Sequence, residues 1–279
     1  MRRRIIILLA AIATALAAPA LAGPLEDGVA ARASGDYADA LKLLRPLADQ
    51  GAAEAQFNLG YMYAKGQGVT QDDAQAAAWY RKAADQGYAP AQLGLAIAYA
   101  NGVGVAPDPA QAAVWYRKAA DQGEPLAQMG LALAYAQGSG IAQDYAQAAA
   151  WFHKAADQGD AAAQFNLGLL SANGQGTPKD EAQAAVWYRK AAMQQYAPAQ
   201  LALGVCYAGG VGTPQDYPLA YMWASLAVAR FPEIEADNRG QAIQTRDAIA
   251  AKMSPDQIAN GQKLARDWAS AHPPPDATP

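Results

Sequence analysis

Cys206, His153 and His272 are all the thiol and imidazole that 279 residues contain. A single thiol closes no internal disulfide. Neither histidine has a His-x-x-x-His or Cys/His partner at metal-site spacing. Cys206 therefore reads as a small buried apolar side chain, and no metal or other cofactor is expected. No Gly-x-Ser-x-Gly occurs, and no serine is followed three residues later by lysine, so acyl-enzyme chemistry has no motif. Only a convergence of distant residues would leave no such trace. Charged residues make up 16% of the chain, and acids outnumber bases by 25 to 21. That balance argues against a nucleic-acid partner, whose phosphates require a basic face.

A long apolar run is also lacking. Ile5 to Ala18 is apolar, but at about 14 residues it is short for a bilayer, which takes about 20. It follows Arg2, Arg3 and Arg4 and leads to Ala20-Leu21-Ala22 before Gly23, the order of a secretory signal peptide. Residues 1–22 are expected to be removed, leaving a periplasmic or secreted chain with no membrane span. The cut takes three bases and no acid, leaving 18 bases against 25 acids, about −7. No cysteine follows it to carry a lipid anchor.

What is abundant is repetition. WYRKAADQG stands at 79–87 and again at 115–123, WFHKAADQG at 151–159 and WYRKAAMQQ at 187–195. A shift of 36 residues aligns Trp79, Trp115, Trp151, Trp187 and Trp223. The same shift aligns Gln56, Gln92, Gln128, Gln164 and Gln200, and also Leu59, Leu95, Leu131, Leu167 and Leu203. A period of this size means stacked supersecondary units, none of which buries its apolar face alone. The expected architecture is all-α.

Within a unit, Ala55, Leu59, Met62 and Tyr63 lie on one stripe of a first helix, A, which Gly66 ends in a left-handed turn. After the loop GQGVTQ, Asp72 and Gln75 have the spacing of a capping box, repeated by Asp108 with Gln111, Asp144 with Gln147 and Asp180 with Gln183. The second helix, B, carries Ala76, Trp79, Tyr80, Ala83 and Ala84 on one face, with Arg81 and Lys82 near its negative end. The tryptophans are expected in the core rather than in a ligand-stacking ladder, and the aspartates are expected to be caps rather than catalytic acids. The Gly-x-Gly loops lack the preceding strand, third glycine and Lys-Ser/Thr of a phosphate cradle, so loop geometry suffices for them.

AQFNLGYMYAKGQGVTQDDAQAAAWYRKAADQG at 55–87 resembles a Sel1-like repeat, the longer-looped relative of the tetratricopeptide repeat, with its Leu-Gly-x-x-Tyr, Gly-x-Gly, Asp and Trp-Tyr-x-Lys-Ala-Ala segments in order. The resemblance covers five units of 36 residues, 52–231. It implies a right-handed superhelical solenoid of antiparallel helix pairs that serves protein–protein contact, often in the bacterial envelope. A cysteine-rich branch of the family is linked to β-lactam binding; with Cys206 alone this chain departs from it. Residues 23–51, with Gly35-Asp36-Tyr37 as a tight turn and Leu43 in the tryptophan column, are expected to form a tetratricopeptide-like N-terminal cap. In the fifth unit Ala224 and Leu226 replace an aromatic and a lysine, so something apolar must cover them. The candidate is 232–271: a helix to about Lys252, then a second opened by the capping box Ser254-Pro255-Asp256-Gln257, with Ile258, Gly261, Ala265 and Trp268 on one side. Residues 272–279 read as a disordered tail.

The expected function is a non-enzymatic, monomeric scaffold whose partner is a protein, or a peptide or glycan of the envelope. The alternative, by analogy with the cysteine-rich relatives, is an envelope hydrolase or a β-lactam- or peptidoglycan-binding protein; turnover of a chromogenic β-lactam or of peptidoglycan separates the two. The candidate binding residues face away from the buried stripe of helix A, at about 180–280° from Ala55. In the first unit they are Phe57, Tyr61 and Lys65, with Ala64 beside them. Their equivalents are Leu93, Ile97 and Asn101, then Met129, Leu133 and Gln137, then Phe165, Leu169 and Asn173. Water alone would select polar residues on that concave side. Two readings are open: a groove for a partner segment, or helix A wedged between neighbouring units with these residues as further core.

Overall fold

A computed structural model describes residues 22–232 and 234–273. Apart from Ala22, the signal-peptide reading lies outside the described residues, as does the tail beyond Pro273. The described residues form fourteen α-helices and no strand. They are α1 (Ala22–Ser34), α2 (Tyr37–Asp49), α3 (Ala53–Lys65), α4 (Asp73–Asp85), α5 (Ala89–Asn101), α6 (Pro109–Asp121) and α7 (Pro125–Gln137). Then follow α8 (Tyr145–Asp157), α9 (Ala161–Asn173), α10 (Glu181–Met193), α11 (Ala197–Gly209), α12 (Tyr217–Arg230), α13 (Ala236–Ala250) and α14 (Pro255–Ala271). None is long and apolar enough to cross a membrane.

The chain gathers into two compact bodies: residues 22–95 with 103–106, and residues 96–102 with 107–273. In the first, α1 to α4 enclose Leu44, Leu59 and Met62, each wholly buried, with Trp79 beside them. Leu43 is only half-buried. Its neighbours Leu44 and Leu47 carry the packing instead, because Gly28 on α1 leaves room for Leu44: a Cβ there would stand 2.8 Å from its Cγ. In the second body the apolar faces of α10, α11 and α12 meet around Tyr188, Leu203 and Trp223. Helices α13 and α14 cover Ala224 and Leu226, and Trp268 lies edge-on to Trp223 with ring centroids 5.6 Å apart. Gly261 permits this, since a Cβ at that position would meet the Pro218 carbonyl at 3.1 Å.

The helix starts behave as capping chemistry requires, with one correction. Asp72, Asp108, Asp144 and Asp180 accept from the amides of Gln75, Gln111, Gln147 and Gln183 at 2.9, 3.0, 3.0 and 2.9 Å. The glutamine side chains do not reach back; they stay exposed, where water serves the amide as well as the helix start would. The full reciprocal box forms at Ser254–Gln257, with bonds of 3.3 and 2.9 Å.

The glutamine column links one helix pair to the next. Gln128 Nε2 donates to the Ala120 carbonyl at the end of α6, and Gln158 Nε2, from the end of α8, donates to Gln128 Oε1 at 2.9 Å. Gln56 with Gln86, and Gln164 with Gln194, repeat the second bond at 2.8 and 2.9 Å. The ladder ends at Gln200, which is wholly buried: it donates to the Ala192 carbonyl at 3.3 Å, while its own oxygen has no partner. The second glycine of each loop serves the same stacking. At Gly140 φ is 70°, and a Cβ would fall 2.1 Å from the Pro109 carbonyl at the start of the preceding helix B. No ligand is needed to explain it.

Candidate partner-binding face

In the second body the candidate stripe is graded along each helix A. Its first position is packed: Met129 is half-buried, and Phe165 sits between Tyr188 and Tyr196 with centroids at 5.7 and 5.6 Å. Its middle position opens outward, with Ile97 at 40% and Leu169 at 36% exposure, although Leu133 is half-buried. Its last position, Asn101, Gln137 and Asn173, is exposed. The first body shows the same start. Phe57 lies between Tyr80 and Tyr88 at 5.7 and 5.5 Å, and Leu93 is half-buried. Tyr61 is half-buried under the Arg32 guanidinium, 4.7 Å from the ring centroid, and Lys65 is exposed. The first column is thus the edge of the core, while Ile97 and Leu169 of the middle column meet solvent.

Two clefts gather some of these residues. One of about 300 Å³ brings Asn101, Leu133 and Gln137 together with Tyr116 and Gly130. Its flat floor exists because Gly130 presents no Cβ to the Tyr116 ring, which would otherwise stand 2.6 Å away. The other, of about 450 Å³, joins Phe165 to Leu201, Val205, Cys206 and Phe231, with the amides of Asn238 and Gln241 from α13 on its rim. Leu169 and Asn173 line neither. Cys206 is free and buried; burial first, and Glu181 second, push its thiol pKa up, so it stays protonated and apolar. Among the described residues no three of His, Cys, Asp and Glu converge as metal ligands.

The Sel1 repeat family model matches residues 53–88, 89–124, 125–160, 161–196 and 197–230, well over half of the chain. The chain belongs to the Sel1 repeat family. Among solved structures, a Sel1 repeat protein from Oxalobacter formigenes is similar at 30% identity and a TM-score of 0.74, covering 92% of this chain and 99% of that one. The c5321 protein, a protective antigen of uropathogenic Escherichia coli with an SLR fold, is similar at 26% identity and a TM-score of 0.44, covering 90% of this chain and 76% of that one. No curated protein matches the chain. Its fold is thus the all-α helix-pair solenoid, and Sel1 repeats generally mediate protein–protein interaction.

For this Sel1 repeat protein the fifth unit extends the stripe beyond Asn173. Leu201 is half-buried and Val205 is 52% exposed, at the places of Phe165 and Leu169. The 36-residue shift already points to both. Asn238 and Gln241 lie outside the period, and Phe231 stands where earlier units have Gly87, Gly123, Gly159 and Gln195, so nothing in the repeat pattern marks them.

Proposed function

We propose that the protein is a scaffold of the bacterial envelope that holds a segment of a partner protein along the helix-A stripe. The observation that carries this reading is the middle column. Ile97, Leu169 and Val205 are 40, 36 and 52% exposed at one helical position of the second, fourth and fifth units, with half-buried Leu133 at that position of the third, and at Ile97 and Leu169 packed apolar residues lie on one side and exposed amides on the other. An apolar column left in water, edged by hydrogen-bonding groups, suits an extended or helical segment that buries side chains at regular steps. Export through residues 1–22 would place it in the periplasm or outside the cell.

Photo-crosslinking in the natural host tests the face. The expected result is one common adduct from positions 97, 169 and 205, none from Val114 or Val186 on helix B, and loss of the adduct in Leu169→Asp at unchanged melting temperature. Equal labelling from both sets, or an adduct that survives Leu169→Asp, rules the face out. Intact mass of the protein recovered by osmotic shock checks the location: loss of residues 1–22 is expected, and an uncut chain held in the cytoplasm would refute it.

A further inference from the structure

A bond between helix B and the next helix A recurs along the chain: Arg45 donates to the Tyr63 hydroxyl, Arg117 to Tyr135 and Arg189 to Tyr207, each across a separation of 18 residues. At one step both partners change together. His153 stands in the arginine place and Ser171 in the tyrosine place. The backbone does not move in to compensate. The Asp180 amide donates to the Ser171 carbonyl at 2.9 Å, as the Asp144 amide does to Tyr135 at 3.0 Å and the Asp216 amide to Tyr207 at 3.0 Å. Gln164 of α9 also donates to the Ala156 carbonyl of α8 at 3.4 Å, as Gln128 does to Ala120 at 3.4 Å, so α9 keeps the repeat position while lacking the ring that elsewhere fills it.

The vacated space is a cavity of about 340 Å³ lined by His153, Ser171, Thr177, Pro178, Gln183 and Trp187, with Lys179 and Asp180 at its edge. His153 lies edge-on to Trp187 at 5.4 Å. Thr177 replaces the Val69, Val105 and Ile141 of other units, and its hydroxyl is buried without a partner. Thr213 has the same unpaired hydroxyl in a unit that keeps its tyrosine, so it is the missing ring that singles out this place.

We propose that this cavity binds the tyrosine side chain of a partner protein, the guest ring standing where the repeat's own tyrosine is absent. Its chemistry follows from what the fold builds at the other steps: a flat ring packed between helices, with its hydroxyl held by the side chain 18 residues earlier. Here His153 and Ser171 are the groups available to that hydroxyl. A partner arginine is the competing guest, since the arginine of the pair is absent too, but the larger loss is the buried ring: Ser171 is 8% exposed, whereas His153 lies at the surface. Ser171 lies two residues beyond Leu169, on the opposite side of α9. The proposal is therefore independent of the helix-A stripe.

Titration of the purified protein with N-acetyl-tyrosinamide, followed by NMR at the Trp187 indole and the His153 ring, tests it. Saturable shifts at those two groups are expected, with N-acetyl-phenylalaninamide about three- to tenfold weaker for want of one hydrogen bond. N-acetyl-argininamide is expected to leave both unchanged. The double variant His153→Arg, Ser171→Tyr rebuilds the repeat pair; it should keep its helicity and lose the shifts. The phenylalanine or arginine amide binding as well as the tyrosine amide, or binding that persists in the filled variant, overturns the proposal. Should the filled variant misfold, the unaltered protein still decides: shifts that are absent, or centred away from Trp187 and His153, overturn it.

Discussion

Side chains that recur in this protein are fixed by the repeat, and their contributions can be ranked by burial. Trp115 is 5% exposed, packed among alanines under the Lys118 ammonium, 3.8 Å from the ring centroid. Asp108 is a half-buried cap serving two amides. Trp115→Ala should cost roughly 3–5 kcal/mol and Asp108→Ala about 1, measured by urea unfolding. Equal costs would contradict the core position of the tryptophan. Two phenols, half-buried Tyr80 and buried Tyr188, add a pH dependence. Burial, then the neighbouring Tyr61, pushes Tyr80 from 10.0 up to about 12, and burial, then Cys206, does the same to Tyr188. Each ring holds its proton more tightly folded than unfolded, so this stability is fully present below pH 10 and is lost as pH rises through about 12. Urea midpoints from pH 8 to 12 should fall in that window, and the variant Tyr80→Phe, Tyr188→Phe should flatten the fall.

Helices were the most legible level of the sequence, because a 36-residue period marks each start and stop repeatedly. Trp79, Gly66 and Asp72 announce a buried face, a left-handed end and a cap from local chemistry alone. What the glutamine column does was not legible: a buried glutamine at fixed spacing names no acceptor until the neighbouring helix end is in view. The exposure of the stripe was also hidden, since Phe57 and Ile97 are alike in apolar character and differ only in what packs on them. Gln195 shows the limit of local rules from the other side, keeping φ at 65° where the three units before it place Gly87, Gly123 and Gly159. The ladder gives a directional prediction. Gln128→Leu removes one of the bonds to the Ala120 carbonyl, which keeps that from the Gly123 amide, and one of the two acceptors of Gln158, which keeps the Gly123 carbonyl, so about 1 kcal/mol should be lost. Gln200→Leu also removes an oxygen that already lacks a partner, and its cost should be the smaller. Chemical denaturation of the two variants side by side reads the difference; the reverse order would mean that the ladder does not join the units.

For the whole molecule, family and fold follow from the repeats, whereas the cleft of about 450 Å³ depends on residues outside the period, such as Asn238 and Gln241. The ladder has one more consequence. The first three units end alike in Lys-Ala-Ala-Asp-Gln-Gly, so Glu124 can be joined to Ala161 and Gln164 then stands to Ala120 as Gln128 did. A chain lacking residues 125–160 should remain helical and fold cooperatively with a lower melting temperature, as circular dichroism would show; an unfolded product would mean that the units are not interchangeable. A gene built of such units lengthens or shortens by unequal recombination without passing through an unfolded intermediate sequence. The reach of the molecule toward its partners is thus open to inheritance in whole steps.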